Sequence, residues 1–321
     1  MKAIVQDHYG NATSIRFDDI DRPPVPDDKV LVQVVAAGVD RGALHFMTGQ
    51  PYLMRLGTGL RTPRVRVPGV SYAGRIEAVG ANVTGFAVGD EVYGAARGTY
   101  AEYVLASPDK MAHKPTQLTS DQAAVLPYAA FAGLQAVADH AKVQPGERVL
   151  VIGGTGAVGS VVVQAAKAAG AEVTAVTGPH NQDAATDLGA DHTIDYTQAD
   201  FTDGTHTYDV IIDVFGRTPT RKLRRALTPS GRLIIAGGEG DRWIGGIQRQ
   251  LGAVLLNPFI GQSLRMFLAK ENTATLEHMN GLIAAGKVQP PHTHTYPLVD
   301  AANAVHDLEA AATPGRLVLT V

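Results

Sequence analysis

The segment Val149-Leu150-Val151-Ile152-Gly153-Gly154-Thr155-Gly156-Ala157-Val158-Gly159 constrains this chain more than any other. An apolar run that reads as a buried strand passes directly into glycines spaced G-x-G-x-x-G at Gly154, Gly156 and Gly159, and an alanine-rich helix follows. A strand that turns this tightly into a helix needs a bare backbone at the turn, and the helix start then aims N–H groups at whatever approaches. The spacing alone also occurs in ordinary tight strand-to-helix turns. With a strand before it, a helix after it and a second strand expected at 172–176, it fits the pyrophosphate site of a dinucleotide.

The texture of the chain changes at about Thr119. Before it, short alternating runs such as Val30-Leu31-Val32-Gln33-Val34-Val35 and Tyr100-Ala101-Glu102-Tyr103-Val104 lie between Pro and Gly and predict a β-rich domain. Pro23-Pro24-Val25-Pro26-Asp27-Asp28 can continue neither a helix nor a central strand, so it reads as a connection. After Thr119, apolar runs at 148–152, 172–176, 209–214 and 232–236 alternate with helical stretches at 157–169, 181–189 and 218–227. That alternation predicts an α/β fold with a doubly wound parallel sheet beside the β-rich domain. The uncharged stretch 250–264 reads as a buried loop and helix, and the β-run at 315–321 could close either domain.

Composition narrows the chemistry. Thirty-one acidic and 28 basic residues leave a net charge of −3, so no nucleic-acid partner is expected. The absence of cysteine excludes disulfides, thiolate metal sites and cysteine nucleophiles. The opening MKAIVQDHYG lacks a basic region followed by an apolar core, and the uncharged stretch around the glycine loop is too polar to span a bilayer. The expectation is a cytoplasmic protein with no membrane partner.

Cofactor preference is normally written at the end of the second strand, where an acidic residue binds the ribose 2′-hydroxyl of NAD and repels a 2′-phosphate. Here that end reads Ala175-Val176-Thr177-Gly178-Pro179-His180-Asn181. Without an acid it favours NADP(H). No Lys or Arg occurs from Ala168 to Gly216, so the phosphate would depend on Thr177, His180, Asn181, backbone amides or a distant cation, and NAD(H) remains the alternative.

Further segments carry a resemblance that runs along nearly the whole chain: Ala37-Gly38-Val39-Asp40, Val67-Pro68-Gly69-Val70-Ser71-Tyr72-Ala73-Gly74, Gly89-Asp90-Glu91-Val92-Tyr93-Gly94, Gly98-Thr99-Tyr100-Ala101-Glu102-Tyr103 and Leu188-Gly189-Ala190-Asp191. Together they resemble the zinc-independent quinone oxidoreductase branch of the medium-chain dehydrogenase/reductase superfamily. The resemblance implies a GroES-like catalytic domain at 1–120, completed by 286–321, around a Rossmann domain at 121–285. It also implies a homodimer and reduction of quinones or α,β-unsaturated carbonyls by hydride from nicotinamide C4. Zinc-dependent relatives place a cysteine where Asp40 stands and a His-Glu pair where Val70 and Ser71 stand, so no metal is expected.

By position, the resemblance puts Gly154, Thr155, Gly156, Ala157 and Val158 at the pyrophosphate, and Thr177, Gly178 and His180 at the adenosine ribose. Tyr196 is implied beside the adenosine phosphate, and Phe215, Gly216, Gly237 and Gly238 along the path to the nicotinamide. Asp40 stands where such reductases usually have an asparagine near the nicotinamide ribose. Tyr128 adds bulk where smaller residues are usual, and Ala132 stands where a threonine is common.

Reduction of an enone leaves an enolate that must be protonated, and the letters do not name the acid. Tyr52, in the loop that relatives fold over substrate, is a candidate hydrogen-bond donor, and Asp40 a candidate ribose or nicotinamide contact or simply a helix cap. His45 is a weaker candidate. His292 and His294 share one face of an expected strand without an evident third ligand, and the apolar segment 243–267 could line a substrate pocket, a subunit contact or the core. Two other functions fit the same letters: a dedicated enoyl or polyketide-type biosynthetic reductase, and a cofactor-binding sensor without turnover.

Overall fold

The alternating run at Val30 becomes the strand on which the β-rich part is assembled. The structure, a computed structural model, describes residues 1–237, 242–310 and 315–321. The chain forms two compact units, one of Met1–Tyr128, Glu271–Ala284 and Pro290–Val321, the other of Ala129–Lys270 and Ala285–Gln289.

The first unit begins with β1 (Lys2–Gln6), β2 (Ile15–Asp19), β3 (Val30–Val39), α1 (Arg41–Thr48) and α2 (Arg55–Thr58). It continues through β4 (Ser71–Val79), β5 (Glu91–Ala95), β6 (Tyr103–Ala106), β7 (Met111–His113) and α3 (Ser120–Ala124). The boundary between units falls within α4 (Leu126–Gln135). The second unit carries β8 (Arg148–Ile152), α5 (Ala157–Ala168), β9 (Glu172–Thr177), α6 (Gln182–Asp187), β10 (His192–Asp195) and β11 (Tyr208–Asp213). It ends with α7 (Thr220–Arg225), β12 (Leu227–Ile235), α8 (Ile247–Leu255) and β13 (Ser263–Met266). The chain then returns to the first unit with α9 (Thr273–Ala284), β14 (Thr293–Pro297), α10 (Ala301–Ala310) and β15 (Arg316–Thr320).

In the first unit, β3 pairs antiparallel with β4, β6 and β15. The last β-run therefore closes this unit, with Leu317 opposite Val39 and Leu319 opposite Ala37. Tyr72, Tyr93 and Tyr100 are fully buried. The phenol of Tyr93 donates to Asn280 Oδ1 at 2.7 Å, which ties β5 to α9 within the unit.

The second unit is a six-stranded sheet in the order β10-β9-β8-β11-β12-β13. Every pairing in it is parallel. This is the order 3-2-1-4-5-6 of a doubly wound dinucleotide-binding sheet, so the expected α/β architecture is present. Leu150, Ile211, Ile212, Leu233 and Leu264 are all 0% exposed, as strands covered on both faces require.

Three details differ from expectation. β10 and β13 flank the sheet as four-residue strands with polar residues, too short and mixed to stand out in the letters. β12 starts earlier than expected, because a register shift opposite Tyr208 and Val210 accommodates Pro229, Ser230 and Gly231. The uncharged stretch read as a buried loop and helix is largely exposed from 251 on: Ala253 and Leu264 are buried, whereas Leu251, Leu255 and Phe259 are exposed.

Ile212 sits in the middle of the sheet with no exposed surface. Ile212→Ala is expected to cost about 2–5 kcal/mol of stability, read as a lower urea midpoint with an unchanged slope.

Candidate functional site: a glycine cradle and a buried carboxylate

The loop between β8 and α5 is shaped by contacts that only glycine permits. A β-carbon built on Gly159 would lie 2.0 Å from the Gly153 carbonyl oxygen, and one on Gly154 would lie 2.9 Å from Ala175 Cβ. Gly153 has φ +83°, and the N–H groups of Gly153 and Gly154 both donate to Val176 O, at 3.0 and 3.2 Å. The turn is thereby fastened to β9. Gly156 is the N-cap of α5 and supplies no side chain to cap it, so no N-cap side chain takes up the first-turn amides at Ala157 and Val158. A helix start of this kind can receive an anion.

The neighbouring strand end completes it. Thr155 Oγ1 and Thr177 Oγ1 lie 2.9 Å apart, linking the cradle to the end of β9. Beyond it, a β-carbon on Gly178 would be 3.6 Å from the Tyr196 hydroxyl, so the exposed tyrosine stands over a bare stretch of backbone. His180 is exposed in the short turn Pro179–Asn181. Glu172 is at the far end of β9, where it meets His192 at 2.9 Å. These features fit the phosphates and ribose of a dinucleotide.

At the ends of the next two strands, Phe215 Cβ is 3.5 Å from a β-carbon built on Gly153, which places Phe215 beside the cradle. A β-carbon on Gly237 would fall 1.8 Å from Val214 O, so that position also requires glycine. Gly238 lies outside the described residues.

Sequence reasoning missed Asp213 and Arg249. Asp213 is 0% exposed at the end of β11, and its Oδ1 accepts from Gly216 N at 2.8 Å. Arg249, from α8, forms an ion pair with Asp213 Oδ2 and donates from Nη1 to Gly216 O at 2.7 Å. The pair therefore holds Gly216 by both its amide and its carbonyl. A lone carboxylate at the end of an apolar strand was the available signal, since such a charge must find a partner. The partner comes from a helix 36 residues on. Arg249→Met is expected to lower stability by about 3–5 kcal/mol, because it leaves a buried carboxylate unpaired, whereas an exposed arginine such as Arg221 changed to Met should shift it by less than about 0.5 kcal/mol; thermal unfolding checks both.

In the first unit, Asp40 is the N-cap of α1, with Oδ1 accepting from Ala43 N at 2.8 Å. Gly42 N and the Ser71 hydroxyl also hydrogen-bond to it, yet burial outweighs them and pushes the carboxyl up to about 6. Tyr128 has its phenol pushed up to about 12 by burial, with smaller contributions from Asp40 and Glu271. Tyr52 opens a single turn, Tyr52–Met54, and is stacked by the Arg55 guanidinium 4.5 Å from the ring centre. His45 contacts Gln50 O at 2.9 Å through Nδ1. The positions that hold zinc ligands in zinc-dependent relatives are here a carboxyl, the alkyl side chain of Val70 and a hydroxyl. With no thiolate and no imidazole, that donor set does not fit a catalytic zinc. His292 and His294 are exposed, and no group of three potential ligands exists among the described residues.

Comparison with known proteins agrees with this geometry. The alcohol dehydrogenase GroES-like domain matches residues 26–116, the zinc-binding dehydrogenase domain 188–319, and the NAD dependent epimerase/dehydratase family 149–217. A 2-methylene-furan-3-one reductase of Solanum lycopersicum is 30% identical over 308 residues, covering 90% of this chain and 71% of that protein. The chain belongs to the medium-chain dehydrogenase/reductase superfamily. Within this NAD(P)-binding superfamily it lies in the quinone and enone oxidoreductase branch. An NADPH-dependent alkenal/one oxidoreductase of Arabidopsis thaliana is 28% identical over 99% of this chain and 79% of its own length. The quinone oxidoreductase of Coxiella burnetii superposes with TM-score 0.86 at 26% identity, over 100% of this chain and 99% of that one. No helix among the described residues is long and apolar enough to cross a membrane.

Asp40 also yields a stability test. Its folded value of about 6 lies above its ordinary 3.8, so the folded state binds the extra proton. The burial penalty is absent below about pH 4, grows as pH rises through about 6, and is full above it. Asp40→Asn keeps the cap, so it is expected to unfold at a higher temperature than the wild type at pH 8 and at the same temperature near pH 4.

Proposed function

We propose that this protein is an NADPH-dependent oxidoreductase that reduces quinones or α,β-unsaturated carbonyl compounds without a metal ion. The observation that carries the reading is the glycine turn of Gly153 to Gly159, which starts α5 without a side-chain cap and is fastened to a β9 end that bears no acid. The names of the enone and quinone reductases among its relatives support the substrate class.

In this reading Thr155, Gly156, Ala157 and Val158 hold the pyrophosphate, and Thr177, Gly178 and His180 surround the adenosine ribose. Tyr196 contacts the adenosine phosphate, Phe215, Gly216 and Gly237 follow the cofactor toward the nicotinamide, and Tyr52 donates a hydrogen bond to substrate. When bound, the reduced nicotinamide supplies a hydride from C4. The protein's own part is to orient, to exclude water and to deliver the proton. The first unit serves as catalytic domain and the second as nucleotide-binding domain. The exposed Leu251, Leu255 and Phe259, near the flanking strand β13, support a homodimer.

The test compares NADPH and NADH oxidation with one quinone and one enone. NADPH is expected to be favoured by at least about tenfold in kcat/KM, and a chelator is expected to leave the rate unchanged. NADH preference would overturn the cofactor assignment, and loss of activity on chelation would overturn the metal-free mechanism.

A further inference from the structure

Asp40 and Tyr128 both border Gly42. A β-carbon built on Gly42 would lie 2.8 Å from Tyr128 Cε2 and 3.0 Å from Asp40 Oδ1, so the phenol ring edge and the carboxyl both face the space that the missing side chain of Gly42 leaves. The Tyr128 hydroxyl is two bonds from that Cε2. Tyr128 retains 41% of its surface, so part of the residue is within reach of an incoming molecule.

Capping alone does not explain Asp40. Asparagine caps a helix as well as aspartate and carries no charge to desolvate. The carboxyl instead sits where burial works against its ionisation, with Ser71 and the backbone of α1 only partly offsetting it. The titratable groups facing it are the phenols of Tyr100 and Tyr128. Tyr100 is fully buried and its hydroxyl donates to Gly38 O at 3.3 Å, so it is engaged elsewhere. Arg41, the next residue, is exposed. Glu271, which acts on Tyr128, is paired with Lys110 at 2.7 Å.

We infer that Tyr128 is the proton donor of the reduction and that Asp40 returns the proton to it; the inference rests on the reductase reading above. As hydride forms the new C–H bond at the β-carbon of an enone, the C=C electron pair moves toward the carbonyl to give an enolate. The Tyr128 O–H bond breaks and its proton forms the α-carbon C–H bond, leaving a phenolate. The Asp40 carboxyl proton then passes to the phenolate, directly or across one water, and the carboxylate recovers a proton from solvent. One hydride and one proton are added, the dinucleotide is oxidised and the enone is reduced. Asp40 acts through Tyr128 and is a positioning and relay residue.

The experiment follows wild type, Tyr128→Phe and Asp40→Asn by two readouts. Side-chain carboxyl NMR of the cofactor-free protein titrates Asp40 whether or not the enzyme turns over. Asp40 is expected to titrate well above an ordinary aspartate and to shift in Tyr128→Phe; an ordinary value unaffected by that change overturns the pairing. Enone reduction is expected to fall about 100-fold or more in Tyr128→Phe while the NADPH Kd, read by fluorescence, is unchanged. The wild-type rate is expected to decline as pH rises past the Asp40 titration, and Asp40→Asn to be slower with that decline abolished. A Tyr128→Phe enzyme at full rate, or an Asp40→Asn enzyme with the wild-type pH profile, overturns the donor assignment. A wild type that reduces no enone while the two titrations remain coupled overturns the reductase reading and the donor role with it, and leaves the pairing standing.

Discussion

The carbonyl oxygen of Gly153 approaches Gly159 so closely that no β-carbon fits between them. This contact sets how steeply α5 leaves β8, and much of the second unit follows from it. The same turn gives the Gly153 and Gly154 amides to Val176, so β9 is fixed relative to β8 at the end where Thr155 meets Thr177. The next strands repeat the device: Gly237 packs against the Val214 carbonyl, and Gly216 is clamped by Asp213 and Arg249. A row of strand ends is thereby held with its backbone bare, which is what a dinucleotide needs and a side-chain-lined pocket could not supply as rigidly.

The first unit solves a different problem. β3 is paired on both edges and ends at Val39, so Asp40 is delivered at a defined point as the cap of α1. Zinc relatives use this region to place a Lewis acid. Here a hydroxyl, an alkyl group and a carboxyl cannot hold that ion, and the available acidity is that of protons on Asp40 and Tyr128. Reduction of an already polarised double bond needs little more, because the electrophile is built into the substrate.

The parallel sheet was legible because its central strands are buried on both faces, and β8, β9 and β11 appear as apolar runs within a residue or two of their observed ends. The glycine cradle was legible for a related reason: each glycine answers a steric demand that leaves a mark in the letters. β10 and β13 were not, since short strands with polar residues carry little hydrophobic signal. The Asp213–Arg249 pair and the placing of Asp40 and Tyr128 about Gly42 were also hidden, because both depend on residues brought together from distant segments. The stretch from α8 to β13 misled for the opposite reason. Its uncharged letters read as a buried loop and helix, yet an apolar residue can equally be left outside, as Leu255 and Phe259 are, at 72% and 84% exposure.

In the proposed reaction hydride goes to carbon activated by conjugation, and the protein, not a metal, supplies the proton. The most direct test is to reduce an enone with NADPH carrying deuterium at C4, in metal-free buffer, and to locate the label in the product by NMR. Deuterium is expected at the β-carbon, with a solvent-derived proton at the α-carbon and an intact carbonyl. Deuterium on the carbonyl carbon of an alcohol product, or label transfer only after zinc is added, would contradict it.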